Sequence, residues 1–403
     1  MDMTFEKIVE ARARIQDSVI LTPTIKATRL SLSLGIDLYL KLENLQHTSA
    51  FKARGALNKL LTLTDEQRAK GVIACSAGNH AQGVAYNASR LGIPSVIVMP
   101  KGTPFNKIKR TEDFGAEIVL YGDSFDESVG ETLRLAKERD LTFLHPFDDE
   151  AVVAGQGTVG LEMMEQVPDL DMIVVPIGGG GLIAGVATAA KGINPDIQII
   201  GAQSESFDAV LAKYEDRQFV VGKTSLAEGI AVTNPSDDDF KIIKELVDDI
   251  YAVNETEIED AIFSLLSDEK LVAEGAAGAG LAVIKKNIER FKGKKVGLVL
   301  CGGNIDSRTL STLILRGLVR DGRITRLTFT MDDTPGQLSE ISRIIGESGA
   351  NVVEVIHQRM MQAVSLKQAE LDVVVEARDS DHVDALIQTL KDSGFNVSTT
   401  RDV

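Results

Sequence analysis

Cysteine and long hydrophobic runs are both scarce in this chain of 403 residues. Its two cysteines, Cys75 and Cys301, each end an apolar strand-like run, which excludes a disulfide framework and zinc-binding spacing. No apolar stretch approaches the roughly 20 residues that cross a bilayer. The first residues, MDMTFEKIVEARARIQD, have the pattern of an amphipathic polar helix rather than a signal peptide. These absences predict a cytoplasmic protein with reduced thiols and no membrane partner.

Positive charge is in deficit, since 43 lysines and arginines face 59 aspartates and glutamates, for a formal net charge of -16. This charge repels phosphate backbones, and the run Lys107, Lys109 and Arg110 is interpreted as a solvated helix face. Nucleic acid is therefore not expected as a partner. Hydrophobic residues form 44% of the chain, enough for more than one core, so two or three folding units are expected.

Short apolar runs alternate with helical segments from Asp37 to about Leu315. Continuous runs of this kind are typical of strands buried on both faces. They are VIAC (72–75), VIVM (96–99), EIVL (117–120), MIVVP (172–176), IQIIGA (197–202) and VGLVL (296–300). Between them, Ala81, Val84, Ala85, Ala88 and Leu91 repeat at helical spacing, and Pro104 opens another helix. The pattern predicts a doubly wound, parallel α/β architecture.

A change of pattern at 319–326, VRDGRITR, predicts a domain boundary, because charged residues and a glycine interrupt the alternation of apolar runs and helical segments. Residues 326–400 then give strand, turn, helix, strand, strand, helix and strand. That order, βαββαβ, predicts one ferredoxin-like α+β module. Each of its helices has a single apolar stripe, which suits it to cover one face of a four-stranded sheet.

Two motifs around the first buried strand contain polar side chains suited to chemistry. HTSAFKARGA (47–56) places Lys52 near the start of a helical run, although a lone lysine there also fits a surface position. SAGNHAQG (76–83) joins the strand ending at Cys75 to a helix, and its small residues leave N–H groups for a carboxylate. The alternative is that Asn79 and His80 merely cap that helix.

Two further motifs follow strands later in the chain. PIGGGGLIAG (176–185) comes after a strand and opens a helix, so its four glycines favour a phosphate site at a positive helix terminus over a flexible tether. LCGGNID (300–306) ends another strand, at the carboxyl edge where ligands of α/β proteins bind. Cys301 by itself fits an inert buried thiol.

With all four motifs in order and at matching spacing, residues 5–318 closely resemble the threonine and serine dehydratases of the tryptophan-synthase-β-like, fold-type II pyridoxal-phosphate family. The resemblance implies a two-lobed catalytic domain over 1–320, with a smaller lobe at about 40–145. It also implies pyridoxal 5'-phosphate as cofactor. The implied reaction is β-elimination of L-threonine, and also L-serine, to a 2-oxo acid and ammonia.

The resemblance assigns a role to each motif. Lys52 forms the Schiff base and takes the α-proton, the glycine loop holds the phosphate, Asn79 contacts the ring hydroxyl, and Cys301 faces the pyridine nitrogen. The implied cofactor-binding residues are Phe51, Lys52, Asn79, Gly178, Gly179, Gly180, Gly181, Leu182, Cys301 and Gly302. The implied residues for the substrate carboxylate are Ser76, Ala77, Gly78, Asn79 and His80.

Three departures from the family pattern matter. Ser49 and Ala50 stand where relatives usually have Gly-Ser or a similar pair. Ala77 replaces the serine that serves as second proton carrier in serine racemases, which disfavours racemisation. Gln203 stands where some relatives have a metal-binding glutamate, so no divalent metal is expected.

The C-terminal module, residues 326–403, resembles an ACT domain through its D-x-P-G-x-L signature, Asp333 to Leu338. ACT domains pair edge to edge and bind an amino acid at the seam, although a purely structural dimerisation role is the alternative. The implied effector residues are Asp332, Asp333, Gln337, Leu338, Gly349 and Asn351. Isoleucine or valine is the expected effector, and a homo-oligomer, dimer or tetramer, the expected assembly.

Two other functions remain open from the sequence. One is a serine dehydratase or another β-eliminating or β-replacing enzyme of the same fold. The other is a non-catalytic amino-acid sensor with a vestigial cofactor site, against which the intact Lys52 and the intact glycine loop argue.

Overall fold

Strands and helices alternate along the first part of the computed structural model, which describes residues 1–358 and 368–399 and divides into two units, Met1–Ile305 and Asp306–Val403. The elements of the first unit are α1 (Phe5–Ile15), β1 (Thr24–Lys26), α2 (Thr28–Leu34), β2 (Asp37–Leu42), α3 (Lys52–Thr62), α4 (Asp65–Lys70), β3 (Val72–Cys75), α5 (Asn79–Arg90), β4 (Ser95–Met99), α6 (Phe105–Glu112), β5 (Glu117–Leu120), α7 (Phe125–Glu138), β6 (Thr142–Phe143), α8 (Glu150–Gln166), β7 (Met172–Pro176), α9 (Gly181–Ile193), β8 (Gln198–Ser204), α10 (Ala209–Tyr214), α11 (Asp237–Leu246), β9 (Asp249–Val253), α12 (Glu255–Glu269), α13 (Gly275–Lys286), α14 (Ile288–Phe291) and β10 (Lys295–Leu300). Those of the second unit are α15 (Ser307–Arg320), β11 (Ile324–Asp332), α16 (Gln337–Ser348), β12 (Asn351–Gln358), β13 (Gln368–Glu376), α17 (Ser380–Asp392) and β14 (Asn396–Thr399).

Two parallel sheets form the first unit. The smaller has the strand order β5-β4-β3-β6 and is parallel throughout. The larger has the order β1-β2-β10-β7-β8-β9, in which only β1 runs antiparallel to its neighbour. Neighbouring strands that are distant in sequence require crossover connections, which the helices supply. The two-lobed α/β fold expected from the sequence is thereby confirmed.

Burial explains why the strand sequences are continuously apolar. Every residue of β3, β4 and β7 is buried, because helices cover both faces of each sheet. On one face of the smaller sheet, the helical stripe predicted for α5 packs against β3: Ala81, Val84, Ala85 and Ala88 join Val72 and Ala74 in one core cluster.

Glycines let the helix that begins at Lys52 lie directly against α8. A Cβ atom built on Gly155 of α8 would lie 2.6 Å from the Cα of Gly55 on α3, and one built on Gly55 would lie 2.3 Å from Nε2 of Gln156. Any larger side chain at these positions would separate the two helices. The close crossing of α3 and α8 therefore fixes the position of α3, and with it that of Lys52.

A buried ionic network lies beneath the same crossing. The fully buried Arg54 guanidinium donates to both carboxylate oxygens of Glu43, at 2.7 and 2.8 Å, and to both of Glu162, at 2.7 and 2.8 Å. Lys41, also fully buried, donates to Glu162 at 2.6 Å, and Arg12 pairs with the same carboxylate. Each buried charge thus has an opposite partner, which burial of an ion requires.

The second unit has the predicted βαββαβ order. Its sheet order is β12-β13-β11-β14, antiparallel throughout, which is the ferredoxin-like arrangement. The apolar stripes of α16 and α17 are buried with this sheet in one core that includes Ile341, Ile345, Leu386 and Leu390. The division between the units precedes 319–326, the boundary expected from the sequence, because α15 contacts β11 within the second unit.

In the part of the chain that the structure describes, no helix combines the length and the apolar composition needed to cross a membrane.

Candidate functional site

The four chemical motifs meet at the carboxyl ends of the strands in the first unit. β3 leads into the Ser76 loop, β7 into the glycine loop and β10 into Cys301. The segment before Lys52 is tied to the segment after β10, since the Phe51 N–H donates to the Cys301 carbonyl at 3.0 Å. A bridge between Ala50 and Gly302 strengthens this connection. Residues far apart in sequence are thus brought to one edge, where α/β proteins bind ligands.

Lys52 is the first residue of α3, and its side chain is partly buried. Its Nζ atom donates to the Pro146 carbonyl at 2.6 Å. Desolvation lowers the pKa of Lys52 to about 8, and only negative charge on Asp239, Cys301 or Glu274 would act in the opposite direction. About one-tenth of this amine is therefore neutral at pH 7, far more than for an ordinary lysine, and the neutral form is the one that acts as a nucleophile or base.

The glycine loop forms a cradle at the N-terminus of α9. The helix begins at Gly181, after Gly180 at φ 114°, a conformation that favours glycine. A Cβ atom on Gly179 would lie 2.4 Å from the Phe147 ring, so a side chain there would collide. In the described chain, the N–H groups of 178–182 donate to no protein group. The loop thus offers a row of free donors at the positive end of a helix.

The Ser76 loop leads into α5, which begins at Asn79. Among the described residues, no acceptor takes the N–H groups of Ala77, Asn79 and His80. The N–H groups of the other two residues expected at the substrate carboxylate are already used: Ser76 N–H donates to Val98 O at 3.2 Å, and Gly78 N–H donates to Ser76 Oγ at 3.1 Å. The backbone of the loop therefore offers three free donors to an anion, those of Ala77, Asn79 and His80.

The His80 side chain is already hydrogen-bonded to the backbone through its Nε2 atom. Its ring is buried and lies with Nε2 3.0 Å from the Leu144 carbonyl, which can only accept, so Nε2 carries the hydrogen. Burial, and then the nearby charge of Lys52, lowers the pKa of His80 to about 3. The imidazole is thus neutral, and only the backbone of His80 is available to a carboxylate.

A carboxyl group that the sequence did not single out, Glu274, organises the middle of the site. The Asn79 Nδ2 donates to both Glu274 oxygens, at 2.9 and 3.0 Å, and Asn79 Oδ1 accepts from Asn304 Nδ2 at 2.9 Å. The Cys301 Sγ lies 3.8 Å from Glu274 Oε1. Burial raises the pKa of both Glu274 and the Cys301 thiol, which keeps Cys301 neutral. These contacts fix the orientation of the Asn79 amide.

Two departures noted in the sequence have a structural explanation. Ser49 adopts φ 54°, in the left-handed region that favours glycine, which accounts for the glycine expected there. The Gln203 amide is fully used by the backbone: it donates to Ile177 O and Phe207 O and accepts from Leu211 N–H at 2.8 Å. Gln203 is thereby built into the fold, and the expectation that the chain binds no divalent metal stays a prediction.

The residues expected to bind an effector fall into two groups within one chain. Asp332, which ends β11, pairs with Gln368 at one end of β13, whereas Asn351, which begins β12, pairs with Glu376 at the other end. Nine residues of strand separate the two ends by about 26 Å. Asp333, Gln337 and Leu338 lie with the first group, at the start of α16, and Gly349 lies with the second, after α16 ends. A single chain does not bring all six residues together.

Three side chains at the site escaped the sequence analysis. Glu274 immediately precedes the Gly- and Ala-rich helix α13, and a carboxylate in so apolar a stretch was the available signal. Asp239 lies in the acidic run 237–239, which resembles the solvated start of a helix. Phe147 follows an irregular segment, and no feature of the sequence marks it as a residue of the site.

The arrangement fits pyridoxal phosphate, the cofactor implied by the sequence resemblance. The glycine loop, without room for side chains and with unused N–H donors, suits the phosphate. Lys52 provides an amine of lowered pKa for the aldehyde. Asn79 and the neutral Cys301 lie beside Glu274 as polar groups for the ring.

Comparisons with known proteins agree with this fit. A family model described as pyridoxal-phosphate dependent enzyme matches residues 15–302. An L-threonine ammonia-lyase of Thermotoga maritima is 44% identical over 397 residues, covering 98% of this chain and 99% of the relative. The solved structure of maize serine racemase has a TM-score of 0.74 at 34% identity and covers 79% of this chain and 99% of that chain. The processed form of threonine deaminase isoform 2 from Solanum lycopersicum has a TM-score of 0.73 at 34% identity, with coverages of 77% and 89%. The chain belongs to the family of pyridoxal-phosphate dependent enzymes.

Proposed function

We propose that this chain is a threonine ammonia-lyase, which converts L-threonine to 2-oxobutanoate and ammonia by β-elimination and also accepts L-serine. The observation that carries the proposal is Lys52, an amine of lowered pKa at the point where the glycine loop and the Asn79 loop meet. The identity of 44% along nearly the whole chain with a relative named L-threonine ammonia-lyase supports the same reaction.

Lys52 has two tasks in this proposal. Pyridoxal phosphate supplies an electron sink for the bond broken at the α-carbon of the amino acid. Lys52 would hold the cofactor covalently and, as a free neutral amine, would take the α-proton of the substrate. Its lowered pKa makes the neutral form far more accessible near neutral pH than in an ordinary lysine.

Cys301 and Ala77 favour elimination over competing reactions. If Cys301 faces the nitrogen of the cofactor ring, its buried neutral thiol would not stabilise a full positive charge there as an aspartate would, which would favour prompt loss of the β-hydroxyl over transamination. Ala77 provides no hydroxyl group to return a proton to the opposite face, so racemisation is disfavoured despite the structural likeness to maize serine racemase.

Water and ammonia leave in turn. The β-hydroxyl would leave as water, and the proton that Lys52 takes from the α-carbon balances the one that the hydroxyl gains. The released enamine would become an imine, which hydrolyses in solution to the 2-oxo acid and ammonia. Those last steps need no side chain beyond Lys52. The free N–H groups of Ala77, Asn79 and His80, at the N-terminus of α5, are the proposed contacts for the substrate carboxylate.

A substrate panel is expected to separate this function from its alternatives. The purified chain with pyridoxal phosphate should release 2-oxobutanoate from L-threonine and pyruvate from L-serine, with the larger kcat/KM for threonine, as identified by chromatography of the products. A chain that releases pyruvate from serine but no 2-oxobutanoate from threonine would be a serine dehydratase. A chain that binds amino acids without releasing any 2-oxo acid would be a sensor.

We further propose that the second unit is an ACT-type regulatory module that binds isoleucine or valine between two copies of the chain. One chain separates the two groups of effector residues by the length of β13, so a second copy would have to complete the site. β12 is an edge strand of the sheet, and its Val353 and Val355 are exposed to 55% and 40%, as expected of a strand available for pairing. A dimer or tetramer follows from this proposal.

Effector binding is expected to change the apparent affinity for threonine by roughly 5- to 150-fold, the usual range of coupling between two sites. Replacing Asn351 with alanine should weaken the response to isoleucine or valine and leave the rate without effector unchanged, as measured by steady-state kinetics with effector titration. Glu347→Gln, an exposed substitution on α16, serves as the matched control. A full response in a chain lacking 326–403 would place the regulatory site elsewhere.

A further inference from the structure

Asp239 is a buried acidic residue of the first unit that the proposed reaction has not used. It lies in the first turn of α11 and is completely inaccessible to solvent. Its N–H donates to Ser236 Oγ at 3.1 Å, yet within the described chain neither of its carboxyl oxygens has a hydrogen-bond partner. A buried carboxyl group with two unpaired oxygens is unfavourable unless a ligand supplies the partner.

The side chain lies against the glycine loop. A Cβ atom built on Gly180 would lie 2.8 Å from the Cβ of Asp239 and 3.4 Å from its Oδ2. The Ser236 N–H donates to Gly179 O at 3.1 Å, which ties the start of α11 to the same loop. The unpaired carboxyl group is thus adjacent to the free N–H donors of 178–182.

Burial, more than any neighbouring charge, favours the neutral form of the Asp239 carboxyl group. Burial, followed by repulsion from Asp148 and Asp238, raises its pKa to about 8, while Lys52 and the N-terminal amino group act in the opposite direction. Lys52 is not a hydrogen-bond partner, because its Nζ donates to the Pro146 carbonyl. At neutral pH the group therefore carries a hydroxyl that needs an acceptor.

We propose that the protonated carboxyl group of Asp239 is a ligand of the cofactor phosphate and donates a hydrogen bond to one of its oxygens. The inference rests on the proposed placement of the phosphate at the glycine loop. A phosphate dianion accepts such a bond readily, whereas an ionised carboxylate at the same place would repel it. The site thus combines backbone donors with one acidic side chain that binds only when it holds its proton.

Binding of pyridoxal phosphate to the chain freed of cofactor, measured by calorimetry across a pH series, tests the proposal. The affinity of the unchanged chain should fall as the pH rises through the titration of Asp239. Asp239→Asn, a neutral amide of the same shape, should remove that part of the pH dependence and bind more tightly above pH 8. Asp239→Ala, which lacks a donor, should bind about tenfold or more weakly near pH 7, the usual effect of losing a hydrogen bond to a charged group.

Controls separate this effect from general damage. Asp237→Asn changes an exposed carboxylate in the same helical turn and should leave binding unchanged. Pyridoxal, which lacks the phosphate, should bind the unchanged chain and the Asp239→Asn chain with equal affinity, and inorganic phosphate should reproduce the pH dependence. Infrared spectra of the unchanged protein should show a protonated carboxyl band that shifts on binding pyridoxal phosphate and is missing in Asp239→Asn.

Two results would overturn the proposal. The first is an identical pH dependence of pyridoxal phosphate binding in the unchanged chain and in Asp239→Asn. The second is a change in the binding of pyridoxal by Asp239→Asn that is as large as its change in the binding of pyridoxal phosphate, which would place Asp239 at the ring rather than at the phosphate. Normal threonine turnover alongside either result would leave the proposed function intact. Failure of the unchanged chain to bind pyridoxal phosphate at all would refute both the role of Asp239 and the proposed function.

Discussion

Replacing Lys52 with alanine is expected to abolish covalent attachment of pyridoxal phosphate and reduce the turnover of threonine to background. Removal of a general base alone typically costs 10²- to 10⁴-fold, and Lys52 also provides the covalent link, so the loss should exceed about 10⁴-fold. The visible absorbance of the cofactor-loaded protein and the rate of 2-oxobutanoate release measure the two effects separately.

Lys70→Ala is the matched control for this substitution. Lys70 lies on the neighbouring helix α4, where it pairs with Glu66 and Asp140 on the surface, so its loss should change neither the spectrum nor the rate. A Lys52→Ala protein that retains a near-normal rate would disprove the assignment of Lys52 as the catalytic amine.

Replacing Arg54 with methionine is expected to lower the free energy of unfolding by about 3–5 kcal/mol, the usual cost of removing one partner from a buried ionic network. The substitution leaves the carboxylates of Glu43 and Glu162 without the guanidinium that now donates to all four of their oxygens. Lys41 and Arg12 form ion pairs with Glu162, so the charge of Glu162 would still be balanced, but neither forms an ion pair with Glu43. Urea unfolding followed by far-ultraviolet circular dichroism measures the change.

Comparison with other substitutions shows which property of Arg54 matters. Arg54→Lys keeps the charge but lacks the planar fork that engages both carboxylates, so an intermediate loss is expected. Arg134→Met removes an exposed arginine that also pairs with two glutamates, and little change is expected there. Equal losses in Arg54→Met and Arg134→Met would mean that the buried network contributes no more than a surface one.

The sequence predicts the backbone architecture well because that depends on local patterns. The run 117–120 coincides with β5 and the run 172–176 with β7, since the length and the apolar pattern of a strand are set by neighbouring residues. The glycine loop was equally accessible, because four glycines between a buried strand and an apolar helix have few other structural explanations.

The polar interior was not predictable from the same patterns. Glu43, Arg54 and Glu162 each resemble a surface residue when taken alone. Arg54 and Glu162 are 108 positions apart in sequence, and the crossing of α3 and α8 brings them together. Glu274 and Asp239 escaped for the same reason, because burial of a charge depends on long-range contacts that no single segment specifies. The effector residues were grouped by a family pattern, whereas strand register places them at opposite ends of β13.

The position of Lys52 as the first residue of α3 has an electrostatic consequence of its own. The aligned peptide dipoles of a helix place about half a positive charge at its N-terminus, which disfavours an ammonium group there and favours the neutral amine. Lys59, in the last turn of the same helix, has the opposite dipole environment and forms an ion pair with Asp149 at 2.6 Å. A single helix thus places one lysine where its peptide dipoles disfavour a positive charge and another where they favour an ion pair, and the peptide backbone itself helps to distinguish the two positions.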